Sequence, residues 1–376
     1  MEIYLDNAAT TKVCPEALEA ATLALTDNYG NPSSLHSLGI AASQTIEASR
    51  RQIAEILGVL PEEISFSPSG TLANNIAVIG AVNMRKHLGK RIVTSAIEHP
   101  SVSRIMDSLE DKGFEVVRLL PTLNGAVDPE ALMNAVNDKT ILISLMYVNN
   151  ETGAVNPVEY MAKAARAAKA RALLHVDAIQ AFGKMNVKPK KLGLDFLSIS
   201  GHKIHAPKGT GALYVKKGYT VPYYIYGGKQ EHGLFSGTEN VPAIAGFGAA
   251  AAALPPVNEL QSKMKLLRHR LIDRLEPIPS IHINSPKNGL PSIVNLSILG
   301  MPSQVLVNFF SERGFCVSAG SACKKGNRSD VLTYMGVPDT YIDSSIRVSF
   351  SRYTTMDEVN AFADAAIEAS TFLKTK

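Results

Sequence analysis

The chain has 376 residues, of which 45% are hydrophobic and 19% are charged, and its formal net charge is +4. This composition predicts a soluble globular protein of one or two domains, and the mild charge without a basic cluster argues against nucleic-acid binding. The first residues do not have the pattern of a secretion signal, and the longest apolar stretch, 243–254, is too short to span a membrane. We therefore expect a cytoplasmic protein without membrane association.

The cysteines are Cys14, Cys316 and Cys323. Their odd number and the lack of C-x-x-C spacing indicate neither a disulfide framework nor a zinc site. At least one thiol is therefore free and needs an explanation.

Short apolar runs alternate with helical patterns up to about residue 255, which is typical of parallel strands joined by crossover helices. The runs are rich in Val, Ile and Leu without strict alternation, as expected for strands covered on both faces. We predict an α/β fold, a doubly wound and mostly parallel seven-stranded sheet flanked by helices. The predicted strands are 63–66, 91–95, 115–119, 140–146, 172–176, 195–199 and 211–215, and the helices between them include 71–88, 99–112, 128–137 and 157–170.

The sequence changes character near residue 255, where a Pro-rich break precedes a long charged amphipathic helix. We predict a large domain over 15–255 and a smaller α+β domain formed by 1–14 and 256–376. In the smaller domain the predicted strands are 281–284, 292–297, 315–317 and 345–349, and the predicted helices are 302–313 and 355–373.

Polar side chains follow several of the predicted strands, at the point where each strand ends. Ligands of open α/β sheets bind beyond the carboxyl ends of the strands. Taken singly, each side chain has an ordinary explanation as a helix cap, a turn residue, a hydrogen-bonding histidine or a solvated lysine. Their shared location favours a ligand site. They comprise the turn 67–75, His99, Asp177 with Gln180, and Ser200, His202 and Lys203.

These residue types together suit one cofactor. The helix that starts near Gly70 and Thr71 suits a phosphate, because its free N–H groups and dipole meet negative charge. The amine of Lys203 suits an aldehyde as a Schiff base, and the carboxylate of Asp177 suits a protonated ring nitrogen. The imidazole of His99 suits stacking on a flat ring. Pyridoxal 5'-phosphate (PLP) has all four features.

A series of segments, in order along nearly the whole chain, then carries a family resemblance. The sequence resembles the cysteine desulfurases (NifS/IscS-like) of the class V aminotransferase family, which are fold-type I PLP enzymes. The segments are YLDNAATT (4–11), NYGNPSSLHSLG (28–39), EHPSV (98–102), MYVNNETG (146–153), HVDAIQAFGK (175–184), SGHKIHAPKG (200–209), SGTEN (236–240), GSAC (320–323) and IRVSFSRYTT (346–355).

The resemblance implies a role for each matching residue. Lys203 forms the Schiff base with PLP, Asp177 pairs with the pyridinium nitrogen, and His99 stacks on the ring and assists proton transfer. With Cys323, Lys203 and His99 are the implied catalytic residues. Further implied cofactor-binding residues are Gly70, Thr71, Asn150, Gln180, Ser200, His202 and Thr238, the last reaching the phosphate in the neighbouring subunit of a homodimer. The implied substrate-binding residues are Asn7, Asn31, Asn150 and Arg347, which clamps the substrate carboxylate.

Cys323 is the candidate for the free thiol. It lies in a Gly/Ser-rich stretch that is compatible with a mobile loop, and Lys324 and Lys325 follow it directly. Adjacent positive charge lowers a thiol pKa from about 8.5 and favours the thiolate. Cys14 and Cys316 better fit ordinary small buried residues.

The resemblance implies conversion of L-cysteine to L-alanine, with the sulfur held on Cys323 as a persulfide. The persulfide would then pass to an acceptor protein, such as an iron–sulfur scaffold or a thiolation protein. Alternatives are another class V activity, such as a selenocysteine lyase, a sulfinate lyase or an aminotransferase, and a non-catalytic sulfur-transfer scaffold.

The sequence departs from the family pattern at four positions. Pro68 precedes the phosphate helix and offers no N–H group. Lys229 and Phe235 replace a glycine and an arginine that are usual in the family, and Asp330 stands where a histidine is typical. These positions bear on phosphate binding, on substrate and acceptor preference, and on the reach of the loop that carries Cys323.

Overall fold

A computed structural model describes residues 2–222, 225–319 and 328–371. From the N-terminus to residue 252, the elements in chain order are β1 Ile3–Tyr4, α1 Pro15–Thr26, α2 Ser37–Leu57, β2 Ile64–Ser67, α3 Gly70–Arg85, β3 Arg91–Ser95, α4 Pro100–Asp111, β4 Glu115–Leu119, α5 Pro129–Ala135, β5 Thr140–Met146, α6 Met161–Ala167, β6 Leu173–Asp177, α7 Pro189–Leu192, β7 Phe196–Ser200, β8 Gly211–Val215 and α8 Val241–Ala252.

The remaining elements form a second group after a short break. They are α9 Val257–Leu275, β9 Ile281–Ile283, β10 Ile293–Ile298, α10 Ser303–Glu312, β11 Phe315–Cys316, β12 Ser318–Ala319, α11 Asp330–Tyr334, α12 Asp339–Asp343, β13 Ser345–Ser349 and α13 Met356–Thr371.

The main sheet has seven strands in the order β2-β8-β7-β6-β5-β3-β4. All of them run parallel except β8, which is antiparallel to both of its neighbours, β2 and β7. Strands β5, β6 and β7 are buried along their whole length, which explains their uninterrupted apolar sequences. The α/β fold class predicted from the sequence, with its mostly parallel sheet, is confirmed.

The reversal of β8 has a simple cause. Only residues 201–210 join β7 to β8, and they contain one short 3₁₀ turn, Gly201–Lys203, instead of a crossover helix. A parallel neighbour needs a connection of a dozen or more residues, so the chain returns antiparallel. The connection between these two strands carries Lys203.

The second group surrounds a four-stranded antiparallel sheet with the order β12-β13-β10-β9. The run predicted as one strand at 315–317 is divided, because β11 pairs in parallel with the N-terminal β1 while β12 pairs with β13. The N-terminal segment thus contributes to this part of the molecule through Leu5, which lies in its apolar core.

The packing supports a division into two domains, which we propose near residue 255 as the sequence suggests. One apolar cluster contains side chains from α9, β10, α10, β13 and α13, and two other clusters surround the main sheet. Ala8 and Cys14 pack in a cluster of the main sheet, so the N-terminal segment crosses from one core to the other.

Among the described residues, no single helix is long and apolar enough to cross a membrane. The pair α8 and α9, bent by 80° at the break between them, meets the length and composition criteria only when the two helices are taken together.

Candidate active site

Lys203 lies in the 3₁₀ turn directly after β7, at the carboxyl end of that strand. Its side chain is half-buried, and its Nζ donates to the backbone carbonyls of Ala8 at 2.6 Å and Ala9 at 2.7 Å. The N-terminal segment also bonds to this turn through Thr11, whose N–H and hydroxyl both donate to the carbonyl of His202. The amine is therefore held inside the molecule by carbonyl oxygens.

Asp177 is the last residue of β6, the strand next to β7, and only 5% of it is exposed. Its Oδ2 accepts from Asn74 Nδ2 at 2.7 Å, and its Oδ1 accepts from the N–H of Ile179 at 3.0 Å. Burial raises the pKa of Asp177, while these two hydrogen bonds and the nearby His99 and Lys203 oppose that rise. The carboxylate is thus anchored by two donors in a poorly solvated place.

His99 follows β3 and caps the N-terminus of α4, where Pro100 occupies the first helical position. Its Nδ1 lies 3.1 Å from the N–H of Ser101 and 2.8 Å from the Ser101 hydroxyl. Burial lowers the pKa of His99, Asp177 raises it and Lys203 lowers it further. The ring also lines a groove of about 660 Å³ between α3 and α4, whose lining includes Thr71.

The start of α3 forms the predicted anion site. Ser69 caps this helix, since its Oγ accepts from the N–H of Leu72 at 3.1 Å. A Cβ atom added at Gly70 would collide with Ile179 Cδ1 and lie 3.2 Å from Ser200 Cβ, so the absence of a side chain there lets the helix approach β7. Thr71 is exposed in the first turn. The helix cap is intact although Pro68 precedes it.

His202 and Gln180 both bond to the N-terminal segment. His202 Nδ1 lies 3.2 Å from Thr10 Oγ1, and burial, followed by Lys203, Lys208 and Lys184, lowers the pKa of His202 to about 4. Its ring is therefore neutral at physiological pH. Gln180 is buried, and its Nε2 donates to the carbonyl of Ala8 at 2.9 Å, the same carbonyl that accepts from Lys203.

The predicted substrate-binding residues Arg347, Asn7 and Asn150 lie close together where the two groups of elements meet. Arg347 on β13 is 3% exposed, and it donates to Asp6 Oδ1 and to the carbonyl of Asn150, both at 2.9 Å. Asn7 Nδ2 donates to the carbonyl of Ser349 on the same strand at 2.8 Å. Arg347 Nε is buried without a partner among the described residues. Two of its guanidinium nitrogens thus hold this arginine in a fixed position.

Asn31 and Thr238 are not gathered with these residues. Both are exposed, and Asn31 Oδ1 accepts from the N–H of Ser33 in its own loop. The segments around them meet at a groove whose lining includes Ser33, Gln230 and Glu239. An exposed position is compatible with the predicted reach of Thr238 into a neighbouring subunit.

Comparison with known proteins agrees with this arrangement. Residues 3–362 match the aminotransferase class-V family. The chain is 38% identical over 370 residues to a protein of Methanosarcina thermophila named cysteine desulfurase IscS, covering 97% of this chain and 91% of the relative. The chain belongs to the cysteine desulfurase family. The family and the class of function predicted from the sequence are thereby confirmed.

Solved structures of similar proteins support the same family. One, a NifS-like protein, is 36% identical and superposes with a TM-score of 0.93, covering 99% of this chain and 100% of that one. Another, described as SspA in complex with cysteine, is 32% identical with a TM-score of 0.82, covering 94% of this chain and 100% of that one. Members of the desulfurase family are PLP-dependent enzymes.

The described residues of this desulfurase fit PLP. The absence of a side chain at Gly70 lets the start of α3 approach Ile179 and Ser200 beyond β6 and at the end of β7, and the free N–H groups of a helix start suit a phosphate. Asp177 is a buried carboxylate without a salt bridge among the described ion pairs, as a protonated ring nitrogen requires. Lys203 supplies the amine on the same side of the sheet. The donor set therefore agrees with the cofactor of the family.

The desulfurase departures at Lys229 and Phe235 have different surroundings. Phe235 is 6% exposed and packs in the apolar cluster that includes α3 and α4 side chains. The phenylalanine at this position is therefore buried and adds no apolar group to the surface. Lys229 is exposed. Phe235 thus has a packing role beside α3, the helix that begins at Gly70.

Three polar residues near the candidate site were not predicted from the sequence, of which Glu98 and Asn74 are buried and Lys184 is half-buried. Glu98 accepts from Ser95 Oγ and from the N–H of Met146, and burial raises its pKa to about 8. Lys184 donates to Gln180 Oε1 at 3.2 Å, and burial, with Lys203 and Arg347 nearby, lowers its pKa to about 7. The third is Asn74, the partner of Asp177.

A signal for these three residues is present but weak. All of them lie within or next to segments that contain predicted site residues: Asn74 in 67–75, Glu98 beside His99, and Lys184 at the end of 175–184. Sequence spacing does not reveal which polar side chains in such a segment point inward, because that depends on contacts between elements distant in the chain.

The two described cysteines are poor nucleophiles. Cys14 is fully buried, and burial raises its thiol pKa. Cys316 is half-buried rather than buried, and it donates to Glu2 Oε1 at 3.3 Å. Burial and Glu2 raise the pKa of Cys316 to about 11, so both thiols remain protonated at neutral pH. Cys323 lies outside the described residues, as do Lys324 and Lys325.

Proposed function

We propose that this chain converts L-cysteine to L-alanine with PLP as cofactor and receives the sulfur atom on Cys323 as a persulfide. The observation that carries the proposal is the meeting of an amine, a carboxylate and an imidazole at one edge of the sheet. Asp177 is the last residue of β6, Lys203 lies in the turn after β7 and His99 lies after β3, so the three residues lie at the carboxyl ends of three strands of one sheet. A PLP enzyme of this family needs these three groups at one cofactor.

The residues that would hold PLP follow from their positions. The amine of Lys203 would take the aldehyde, the carboxylate of Asp177 would bind the ring nitrogen, and His99 would cover the ring. The start of α3 would hold the phosphate. When bound, PLP supplies an electron sink for the substrate carbon atoms. The remaining proposed contacts are Gly70, Thr71, Asn150, Gln180, Ser200 and His202, with Thr238 provided by a second copy of the chain.

We assign the substrate carboxylate to Arg347. The guanidinium is already fixed by Asp6 and by the carbonyl of Asn150, and a fixed planar fork loses little conformational entropy when it binds a carboxylate. Asn7 and Asn150 border the same place, and Asn31 completes the proposed substrate set from the N-terminal half. Lys203 would then be the base that removes the Cα proton, once the substrate amine has replaced its own amine at the aldehyde.

The transfer of sulfur from the substrate to Cys323 needs no added oxidant. The Cys323 thiolate forms an S–S bond to the substrate sulfur, and the Cβ–S bond of the substrate breaks with its electron pair left on Cβ. A proton then joins Cβ, and alanine leaves while the sulfur remains as the Cys323 persulfide. Because the pKa values of Cys14 and Cys316 are raised, Cys323 is the best candidate nucleophile.

A single experiment tests both halves of this proposal. The purified holoenzyme is incubated with L-cysteine, alanine is quantified, and Cys323 peptides are analysed by mass spectrometry for one added sulfur atom. We expect alanine with persulfidated Cys323 in the wild type, and neither product in Lys203→Ala. Cys323→Ala should lose the persulfide and most of the alanine, whereas Cys14→Ala should behave as wild type. Alanine formation undiminished in Cys323→Ala would refute the persulfide step.

We further propose that the enzyme is a homodimer in the cytoplasm that hands its sulfur to an acceptor protein, such as an iron–sulfur scaffold or a thiolation protein. A group of exposed apolar side chains in the N-terminal helices supports self-association. It comprises Leu18, Leu23 and Leu25 on α1, Tyr29 and Leu35 in the following loop, and Ile40 on α2. Exposed apolar side chains that lie close together commonly mark an interaction site, and these six fall within residues 18–40.

A further inference from the structure

Asp177 and His99 are joined by a continuous chain of hydrogen bonds through Asn74 on α3 and Ser101 on α4. Asn74 Nδ2 donates to Asp177 Oδ2 at 2.7 Å and to Ser101 Oγ at 2.9 Å, and Ser101 Oγ lies 2.8 Å from His99 Nδ1. Asn74 is completely buried, and Ser101 is 7% exposed. The chain therefore connects the ends of β6 and β3 out of contact with bulk water.

The direction of each hydrogen bond in this chain is fixed by the backbone N–H of Ser101. That N–H lies 3.1 Å from His99 Nδ1 and can only donate, so Nδ1 must accept and carries no hydrogen. The Ser101 hydroxyl then donates to the same nitrogen, and its oxygen accepts from Asn74. The second amide hydrogen of Asn74 is directed at Asp177. Both carboxylate oxygens of Asp177 accept, because the N–H of Ile179 occupies the other one.

The amide orientation of Asn74 is consistent with this direction. Its Oδ1 is buried without a hydrogen-bond partner among the described residues, which costs free energy. The reversed amide would place Oδ1 against the carboxylate of Asp177 and against a hydroxyl already engaged with His99. The unpartnered oxygen is thus the consequence of directing both N–H groups toward Asp177 and Ser101.

We propose that Asn74 and Ser101 are positioning residues that hold His99 as the neutral Nε2–H tautomer and Asp177 as an ionised acceptor. This inference deepens the proposed function and rests on it. His99 then presents Nε2–H as a hydrogen-bond donor and does not act as a base, which leaves the role of base to Lys203. The charged groups that act on the His99 ring are Asp177 from β6 and Lys203 after β7.

The tautomer can be measured directly in the full-length protein. We would label the histidines with ¹⁵N and record the ring nitrogen shifts by NMR at neutral pH, without and with PLP, assigning His99 by its loss in His99→Gln. We expect a protonated, pyrrole-type Nε2 and an unprotonated, pyridine-type Nδ1 in both forms. A ring protonated on Nδ1 would overturn the inference without any variant being needed.

Variants test the relay itself. Ser101→Ala removes the hydroxyl donor to Nδ1, and Asn74→Ala removes the link to Asp177, whereas the backbone N–H of residue 101 still donates to Nδ1 in both. Each variant should therefore weaken the preference for the Nε2–H tautomer without abolishing it. Each should also raise the His99 pKa by about 0.5–1 unit, the size that one ordinary hydrogen bond supplies. Ser101→Thr keeps the hydroxyl and should restore the wild-type shifts. The matched control is Asn75→Ala, whose side chain donates to the backbone carbonyls of Thr71 and Ser101.

The decisive result is the Asn74→Ala spectrum, because the described hydrogen bonds of Asn74 link it to His99 through Ser101 and Asp177 and not directly. Unchanged His99 shifts in folded Asn74→Ala would refute the relay. If that variant does not fold, as judged by circular dichroism, the comparison of Ser101→Ala with Ser101→Thr decides in its place.

Activity separates this inference from the proposed function. In the holoenzyme Ser101→Ala should lower kcat about tenfold with little change in KM, and Ser101→Thr should recover it. A wild type that forms no alanine from L-cysteine but shows the Nε2–H tautomer would refute the proposed function and leave the relay standing. An active enzyme whose His99 ring carries its hydrogen on Nδ1 would refute the relay and leave the proposed function standing.

Discussion

Glu98 is a carboxylic acid buried beside His99, with a pKa raised from 4.5 to about 8, chiefly by burial. Its Oε1 accepts from Ser95 and from the N–H of Met146, while its Oε2 is buried without a partner among the described residues. The acid is therefore protonated and neutral in the folded enzyme at neutral pH. It links the end of β3 to the end of β5 without adding a negative charge near Asp177.

This protonation state predicts a pH dependence of stability. Between about pH 4.5 and 8 the folded protein holds a proton on Glu98 that the unfolded chain releases, so this residue makes stability fall as pH rises through that window. Glu98→Gln cannot ionise and should gain stability relative to the wild type between pH 5 and 9. The gain should approach about 1.4 kcal/mol for each unit by which the Glu98 pKa is raised.

Urea unfolding of the two proteins at both pH values measures the effect. The control is Glu19→Gln, which makes the same change at an exposed glutamate on α1 and should not reproduce the gain. A constant difference between Glu98→Gln and wild type across this range would show that Glu98 is already ionised in the folded protein.

At the scale of elements, the approach of β8 to the start of α3 shapes the anion site. A Cβ atom at Gly211, the first residue of β8, would lie 2.7 Å from the carbonyl of Ile199 and 2.9 Å from the N–H nitrogen of Gly70. These are backbone atoms that cannot rotate away. Gly211 therefore permits β7, β8 and α3 to converge where a phosphate would bind.

We predict that Gly211→Ala displaces the start of α3. The variant should lose about 1–3 kcal/mol of unfolding free energy through overpacking and should bind PLP at least tenfold more weakly. Urea unfolding and absorbance titration with PLP measure the two effects. Gly80→Ala is the matched control, because Gly80 lies in α3 and its added methyl would meet only the Val221 side chain. Equal PLP affinity in the two variants would contradict the prediction.

The strands were predictable from the sequence because a buried strand requires an apolar run of residues. The strands β3, β5 and β8 have the predicted bounds, since each is an apolar run closed by polar or turn residues. The direction of β8 was not predictable from its own residues. It depends on the length of the connection that carries Lys203.

The site residues that lie at strand ends were predictable from the sequence. Lys203, Asp177 and His99 follow buried strands, and the topology of the sheet brings strand ends together. Asn74, Glu98 and Lys184 were missed because their roles depend on contacts across elements, such as the bond from Asn74 on α3 to Asp177 on β6. A single polar residue that bonds to a partner on another element produces no periodic pattern in the sequence.

At the scale of the whole molecule, an active desulfurase with a phosphate contact from Thr238 of a second copy would need two chains. Thr238 is exposed, and exposed apolar side chains cluster in the N-terminal segment, where Leu35 is 94% exposed and Leu25 is 64% exposed. Leaving such side chains in water forgoes about 1.5–3 kcal/mol each of burial free energy. Covering them with a second copy would recover part of this.

We predict that the double variant Leu25→Glu/Leu35→Glu is a folded monomer. Both positions are exposed in the single chain, so folding should be little affected, whereas charges buried against a second copy should weaken the dimer at least 30-fold, the effect of one interface hot spot. Size-exclusion chromatography with light scattering measures the mass. Because Thr238 would then be lost from each site, PLP affinity should fall to the level of Thr238→Ala in the wild-type background.

Leu266→Glu, which changes a 63% exposed leucine on α9, should remain dimeric and bind PLP normally. A wild type that is monomeric at micromolar concentration would refute the dimer, and a dimeric double variant would place the interface elsewhere on the molecule.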